Sequence, residues 1–134
     1  MESLRLTAES ASVTRLLDFI ITQAEKAGFS EDEQTQIRVG CEEVLVNITK
    51  YAYPETPGDV SVTCKKTLNT RQLTVIIQDW GIPFNPLSQP QPDITAPVDT
   101  REIGGLGIYL TRRVMDEVNY KRENDSNILT LKKR

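Results

Sequence analysis

The sequence predicts an α+β fold, a two-layer sandwich in which a mixed, largely antiparallel sheet carries helices on one face. Three observations lead there. Apolar residues recur at helical spacing in two long stretches near the N-terminus and in a shorter one around residue 110. Short alternating or apolar runs occupy the remaining structured parts, and the last two are separated by turn residues only, as in a hairpin. The resulting order, β-α-α-β-β-loop-α-β-β, lacks the strict strand–helix alternation of a doubly wound fold. With 134 residues and no internal repeat, the chain is expected to form one domain over residues 1–134.

Residues 2–8 alternate, with Leu4 and Leu6 on one side, and read as a short strand. Ser10 or Ser12 offers an N-cap to a first helix in which Val13, Leu16, Leu17, Ile20 and Ala24 keep helical spacing as far as Ala27. Gly28 suits the residue just past its end. Ser30 with Glu33 makes a capping box, and Glu31 and Asp32 suit the positive end of a second helix running to about Tyr51. Pro54, Pro57 and Gly58 stop that helix and open a turn.

Val60, Val62 and Cys64 then alternate with polar residues as a half-buried strand, and Asn69 and Thr70 mark a turn. Leu73 to Ile77 is a nearly continuous β-branched run, which predicts a central strand covered on both faces. Residues 80–103 carry five prolines and neither periodicity, the mark of a functional or disordered loop. Gly104-Gly105-Leu106-Gly107 opens a third helix reaching about Met115. Strands over 117–122 and 128–132 close the chain around the turn Asn124-Asp125-Ser126-Asn127.

Composition removes several function classes. The chain has no histidine, which excludes Ser-His-Asp and Cys-His catalysis and phosphotransfer to a histidine of its own. Cys41 and Cys64 are too far apart for a metal motif and read as reduced core thiols. A net charge of -3 argues against nucleic acid as partner. No apolar run is long enough to span a membrane, and MESLRLTAES has no signal-peptide pattern, so a cytoplasmic location is expected.

Three constellations remain. On the second helix, Ile37, Cys41, Val44, Leu45, Ile48 and Ala52 form a core stripe, with Gly40, Glu43 and Asn47 on its shoulder and Lys50 just beyond. Glu43 and Asn47 are one turn apart and either face a cleft together or belong to a solvated helix face. Asp79-Trp80-Gly81 follows the apolar strand: a carboxylate at the sheet edge can accept hydrogen bonds from a ligand amine, or simply make a turn, with Trp80 as structural cover. Gly105, Leu106 and Gly107 open a helix whose free N–H groups favour an anion such as phosphate, and the spacing is not that of a P-loop.

Taken in order, these motifs resemble the GHKL ATPase superfamily of gyrase, heat-shock chaperone, histidine kinase and mismatch-repair ATPases. More closely, EEVLVNITKYAYP, DWGIPFNP and GGLGIYLTRRVMDEV look like the anti-sigma factor serine/threonine kinases of bacterial partner-switching systems. The resemblance spans nearly the whole chain. It implies a GHKL-like fold that uses ATP and Mg²⁺, with Asn47 as metal ligand and Glu43 as catalytic base. It further implies that Asp79 accepts the adenine amino group beside Gly81, that Gly105, Leu106 and Gly107 line the phosphate side, and that residues 86–103 form the ATP lid.

Three positions depart from the pattern. Lys50 stands where many relatives have histidine, and a lysine there can reach phosphate. Pro83 stands where a second glycine is common, as in a variant subgroup of these kinases. Ile103 stands where a basic residue often meets the γ-phosphate, leaving Arg101 as the nearest candidate. The implied function is phosphorylation of a serine or threonine on a STAS-domain anti-anti-sigma protein, coupled to sequestration of a sigma factor or similar regulator, with a homodimer as the possible assembly. A nucleotide-binding partner switch without turnover is the alternative. The detached ATPase half of a histidine kinase fits less well, since the chain lacks histidine and a helical hairpin ahead of this domain.

Overall fold

The computed structural model describes residues 1–67, 69–88 and 105–134, and of residues 105–108 only the backbone. Arg101, Ile103, Gly104 and most of the expected lid lie outside the described residues, as does the side chain of Leu106.

The elements run β1 (Glu2–Thr7), α1 (Ser10–Lys26), α2 (Glu31–Tyr51), β2 (Asp59–Thr67), β3 (Gln72–Asp79), a 3-10 turn (Pro86–Ser88), α3 (Gly105–Val114), β4 (Glu117–Glu123) and β5 (Ser126–Lys133). Local chemistry fixes the helix ends. Past the end of α1, Gly28 adopts φ +93°, its N–H donates to Glu25 O and that of Phe29 to Ala24 O, which closes a Schellman motif over the buried Phe29. Ser30 caps α2 through Oγ, which accepts from Glu33 N at 3.2 Å, while Glu33 Oε1 accepts from Ser30 N at 2.9 Å. Those bonds and Arg71 hold the Glu33 carboxyl below its usual range. Ser30→Ala should therefore lower unfolding free energy by about 1 kcal/mol, read as a lower denaturation midpoint with an unchanged m-value. At α1 the expected serine cap is not used: Glu9 is the N-cap residue, in extended conformation and without a side-chain cap, because the helix already begins at Ser10.

The sheet order is β1-β2-β3-β5-β4, and all four pairings are antiparallel, which corrects the expectation of a mixed sheet. The reason is topological. Two helices carry the chain out and back between β1 and β2, so β2 returns antiparallel to β1. After β3, α3 carries the chain back so that β4 runs parallel to β3, but the β4–β5 hairpin inserts β5 between them. The strand containing Leu73–Ile77 is central, yet only one face is sealed: Leu73, Val75 and Ile77 are buried under the helices, while Thr74, Ile76 and Gln78 on the other face are half-buried.

Leu16 and Ile20 of α1 and Ile37, Cys41 and Leu45 of α2 pack on Val62, Cys64, Val75, Ile77 and Leu131. Burial pushes the Cys64 thiol up to about 12 and the Cys41 thiol higher still, so both are unreactive core residues, as expected from the sequence. The closing turn is shorter than predicted. Asn124 (φ 52°) and Asp125 (φ 61°) alone make it, as a primed two-residue turn requires, so Ser126 and Asn127 belong to β5. That one correction moves a residue into the functional site. Among the described residues no helix is long and apolar enough to cross a membrane.

Candidate functional site

Along β3 the core-facing positions are Leu73, Val75, Ile77 and Asp79, so an acid occupies a place in phase with the core. It pairs across the sheet with Val60 on one side and Asn127 on the other. Asp79 is 4% exposed. Its Oδ1 accepts from Gly81 N at 2.9 Å and from Asn127 Nδ2 at 2.9 Å, and no described residue donates to Oδ2. Burial raises the carboxyl above its ordinary range, against the opposing pull of those two bonds and of Arg122.

Asn127 saturates its amide. Nδ2 donates to Asp79 Oδ1 and to Ile82 O at 2.8 Å, and Oδ1 accepts from Phe84 N at 3.3 Å and from Tyr120 Oη at 2.6 Å. One side chain thus ties the acid, the loop after it and the terminal hairpin together. The sequence does not mark it as a site residue, because Asn124-Asp125-Ser126-Asn127 reads as a turn. Its phase with the buried Leu129 and Leu131 was the available signal.

Gly81 is required by close approach: a Cβ there would lie 2.1 Å from Ala52 O at the end of α2. Ile82 N donates to that same oxygen at 2.9 Å, and Arg122 Nη1 donates to Gly81 O at 2.8 Å. Trp80 lies outside the cleft lining, its ring beneath the Arg5 guanidinium at 4.2 Å and its backbone N–H donating to Tyr53 Oη at 2.8 Å, the structural role expected of it.

Asp79 and Asn127 border a cleft that opens to solvent. Val44, Ile48, Ile77 and Leu129 give it apolar walls, Tyr51, Phe84 and Tyr120 add aromatic ones, and Asn47, Asp79 and Asn127 are its polar groups. Asn47 is 7% exposed, and its buried Oδ1 accepts no hydrogen bond from a described residue. An uncompensated amide oxygen costs about 1–3 kcal/mol, so its retention at a cleft wall points to a ligand that supplies the missing partner. A single neutral oxygen suits a hard cation that takes most of its other ligands from phosphate and water. Among the described residues no cluster of three acidic or thiol ligands offers a rival metal site.

Glu43 is half-buried one turn before Asn47, and Glu42 is exposed. Lys50 is exposed and does not line the cleft. The next residue, Tyr51, does, because 100° of helix rotation separates them. The backbone of Gly105 to Gly107 forms the first turn of α3, as the glycine pattern predicts.

Removing the Asn127 clamp should be costly in a diagnosable way. Asn127→Asp places a second carboxylate against Asp79 and deletes both amide donors. The folded state of this variant then takes up a proton that the unfolded chain does not. Its stability relative to wild type should accordingly rise between about pH 7 and about pH 5. Equal pH profiles in thermal denaturation would contradict the clamp.

A family profile described as a histidine kinase-like ATPase domain matches residues 6–133. The chain is 28% identical over 129 residues to the serine-protein kinase RsbW of Bacillus mycoides, covering 93% of this chain and 78% of that one. It is 27% identical over the same length to the protein of that name from Bacillus thuringiensis. Among solved structures, the histidine kinase domain of the Erythrobacter litoralis blue-light activated histidine kinase superposes with a TM-score of 0.56 at 18% identity. That match covers 91% of this chain and 58% of the other, and it supports the α+β fold.

Proposed function

Because the chain belongs to the histidine kinase-like ATPase family over residues 6–133, we propose that it is a Mg-ATP-dependent serine/threonine protein kinase. On this reading it phosphorylates a STAS-domain antagonist and holds a sigma factor or similar regulator in competition with it. The observation that carries the nucleotide part is the pairing, in one cleft, of a clamped Asp79 carboxylate with an unpartnered, buried Asn47 Oδ1. Asp79 Oδ2 accepts from the adenine amino group, and the apolar walls enclose the base. Asn47 Oδ1 is the protein ligand for Mg²⁺, which supplies charge neutralisation on the phosphates. The N-terminus of α3, begun by Gly105, is the end that would favour the phosphates through the helix dipole.

The transfer forms a bond between the substrate hydroxyl oxygen and the γ-phosphorus and breaks that phosphorus's bond to the bridging oxygen, releasing ADP. Glu43 takes the hydroxyl proton. Positioning and charge neutralisation carry most of such a reaction. The kinase and partner-switch reading is supported by RsbW relatives that align over nearly the whole chain. A homodimer in the cytoplasm is the corresponding assembly. The test is phosphate incorporation into a STAS protein encoded beside this gene, with purified components and Mg-ATP. Incorporation on serine or threonine supports the kinase. Tight nucleotide-dependent complex formation without incorporation supports a non-catalytic switch instead.

A further inference from the structure

We propose that Thr111 is a positioning residue that sets the level of the α3 N-terminus against Asn47. The proposal rests on the nucleotide reading above. Thr111 is fully buried, and its Oγ1 donates to Gly40 O, across the α2–α3 crossing, at 2.7 Å. The helices meet there without a spacer. A Cβ on Gly40 would lie 2.9 Å from Val114 Cγ2 and 3.6 Å from Thr111 Cα. Lys133 Nζ donates both to Gln36 Oε1, on α2 before the crossing, and to Val114 O, on α3 after it. The two helices therefore run antiparallel, and the start of α3 points toward the C-terminal half of α2.

The spacing then becomes informative. Gly105 begins α3 six residues before Thr111, or about 9 Å along the axis. Asn47 lies seven residues after Gly40 on the same stripe of α2, about 10 Å away. The hydroxyl–carbonyl bond is thus the common origin of two nearly equal arms, one ending at the helix terminus that meets anions, the other at the amide oxygen assigned to the metal. A helix slipping at this crossing would separate the phosphate contacts from the metal contact while leaving Asp79, which sits on the sheet, in place.

Thr111→Val keeps shape and burial, and Gly40 O keeps its bond within the α2 ladder. The measurement is calorimetric binding of two probes, Mg-ATP and adenosine. Thr111→Val should weaken Mg-ATP by about tenfold and leave adenosine at wild-type affinity. Thr111→Ser, which keeps the hydroxyl, should bind both as wild type does. Gly40→Ala, which pushes Val114 away at the same crossing, should reproduce the selective loss and serves as the second variant should Thr111→Val not fold. Unchanged Mg-ATP affinity in Thr111→Val, or equal loss of both probes, overturns the positioning role alone. Wild-type protein that binds neither probe overturns the nucleotide reading and this role together.

Discussion

Glu43→Gln lowers the rate of phosphate transfer by about 10²–10⁴-fold and leaves nucleotide affinity close to wild type. The substitution keeps size and polarity and removes only the ability to accept the hydroxyl proton. Glu43 is half-buried beside the core stripe and lies outside the walls of the cleft proposed for adenine, so the base has no contact to lose. Asn47→Ala behaves differently: it removes a buried acceptor at the cleft wall that no described residue partners, and should lose Mg²⁺-dependent affinity and turnover together. Glu42 is the internal control, since it is exposed and points about 100° away. Glu42→Gln should transfer phosphate at a near wild-type rate. A Glu43→Gln protein as active as wild type on its STAS substrate would remove the catalytic-base assignment while leaving the binding site intact.

Asp79→Asn abolishes most nucleotide binding without harming the fold. The asparagine Oδ1 can still accept from Gly81 N and Asn127 Nδ2, so the clamp survives. Its NH₂ then replaces Oδ2 and faces the adenine amino group, donor against donor. Losing such a bond costs about 1–3 kcal/mol, roughly 5- to 150-fold in affinity for ADP and ATP. Burial raises the Asp79 carboxyl, which means the folded chain holds its proton more tightly than the unfolded one. The ionised form therefore costs stability at neutral pH, and Asp79→Asn should melt no lower than wild type there. The same direction predicts a pH dependence. Wild-type affinity falls as pH drops through a window above the ordinary aspartate value of about 4, because protonation turns the acceptor into a donor. Calorimetry that finds equal ADP affinity in the two proteins would end the adenine assignment.

Local interactions made much of this protein readable from its residues. The capping box at Ser30, the glycine after α1 and the phase of Ile37, Cys41, Val44 and Leu45 depend on backbone preferences and spacing within a few residues, and each appears where those rules place it. Asp79 and Asn47 could be singled out for the same reason, one as an acid ending an apolar run and the other as an amide beside a core stripe. That they border the same cleft was implied only by resemblance, because they lie 32 positions apart and on different elements.

Tertiary structure decided the rest. Whether β5 sits beside β3 is a pairing between distant segments, and the hydrophobic pattern of either strand is the same with or without it. Only that pairing puts Asn127 against Asp79 and turns a presumed turn residue into the clamp of the site. The half-open face of β3 follows likewise from where the helices dock, which the apolar run of Leu73–Ile77 does not encode. The absence of a side chain at Gly40 is visible in the sequence, but its purpose is not: it admits α3, and the carbonyl so exposed meets Thr111, 71 residues further along the chain. Sequence patterns report which surface an element buries, and the partner that buries it is chosen by the energy of the whole packed core.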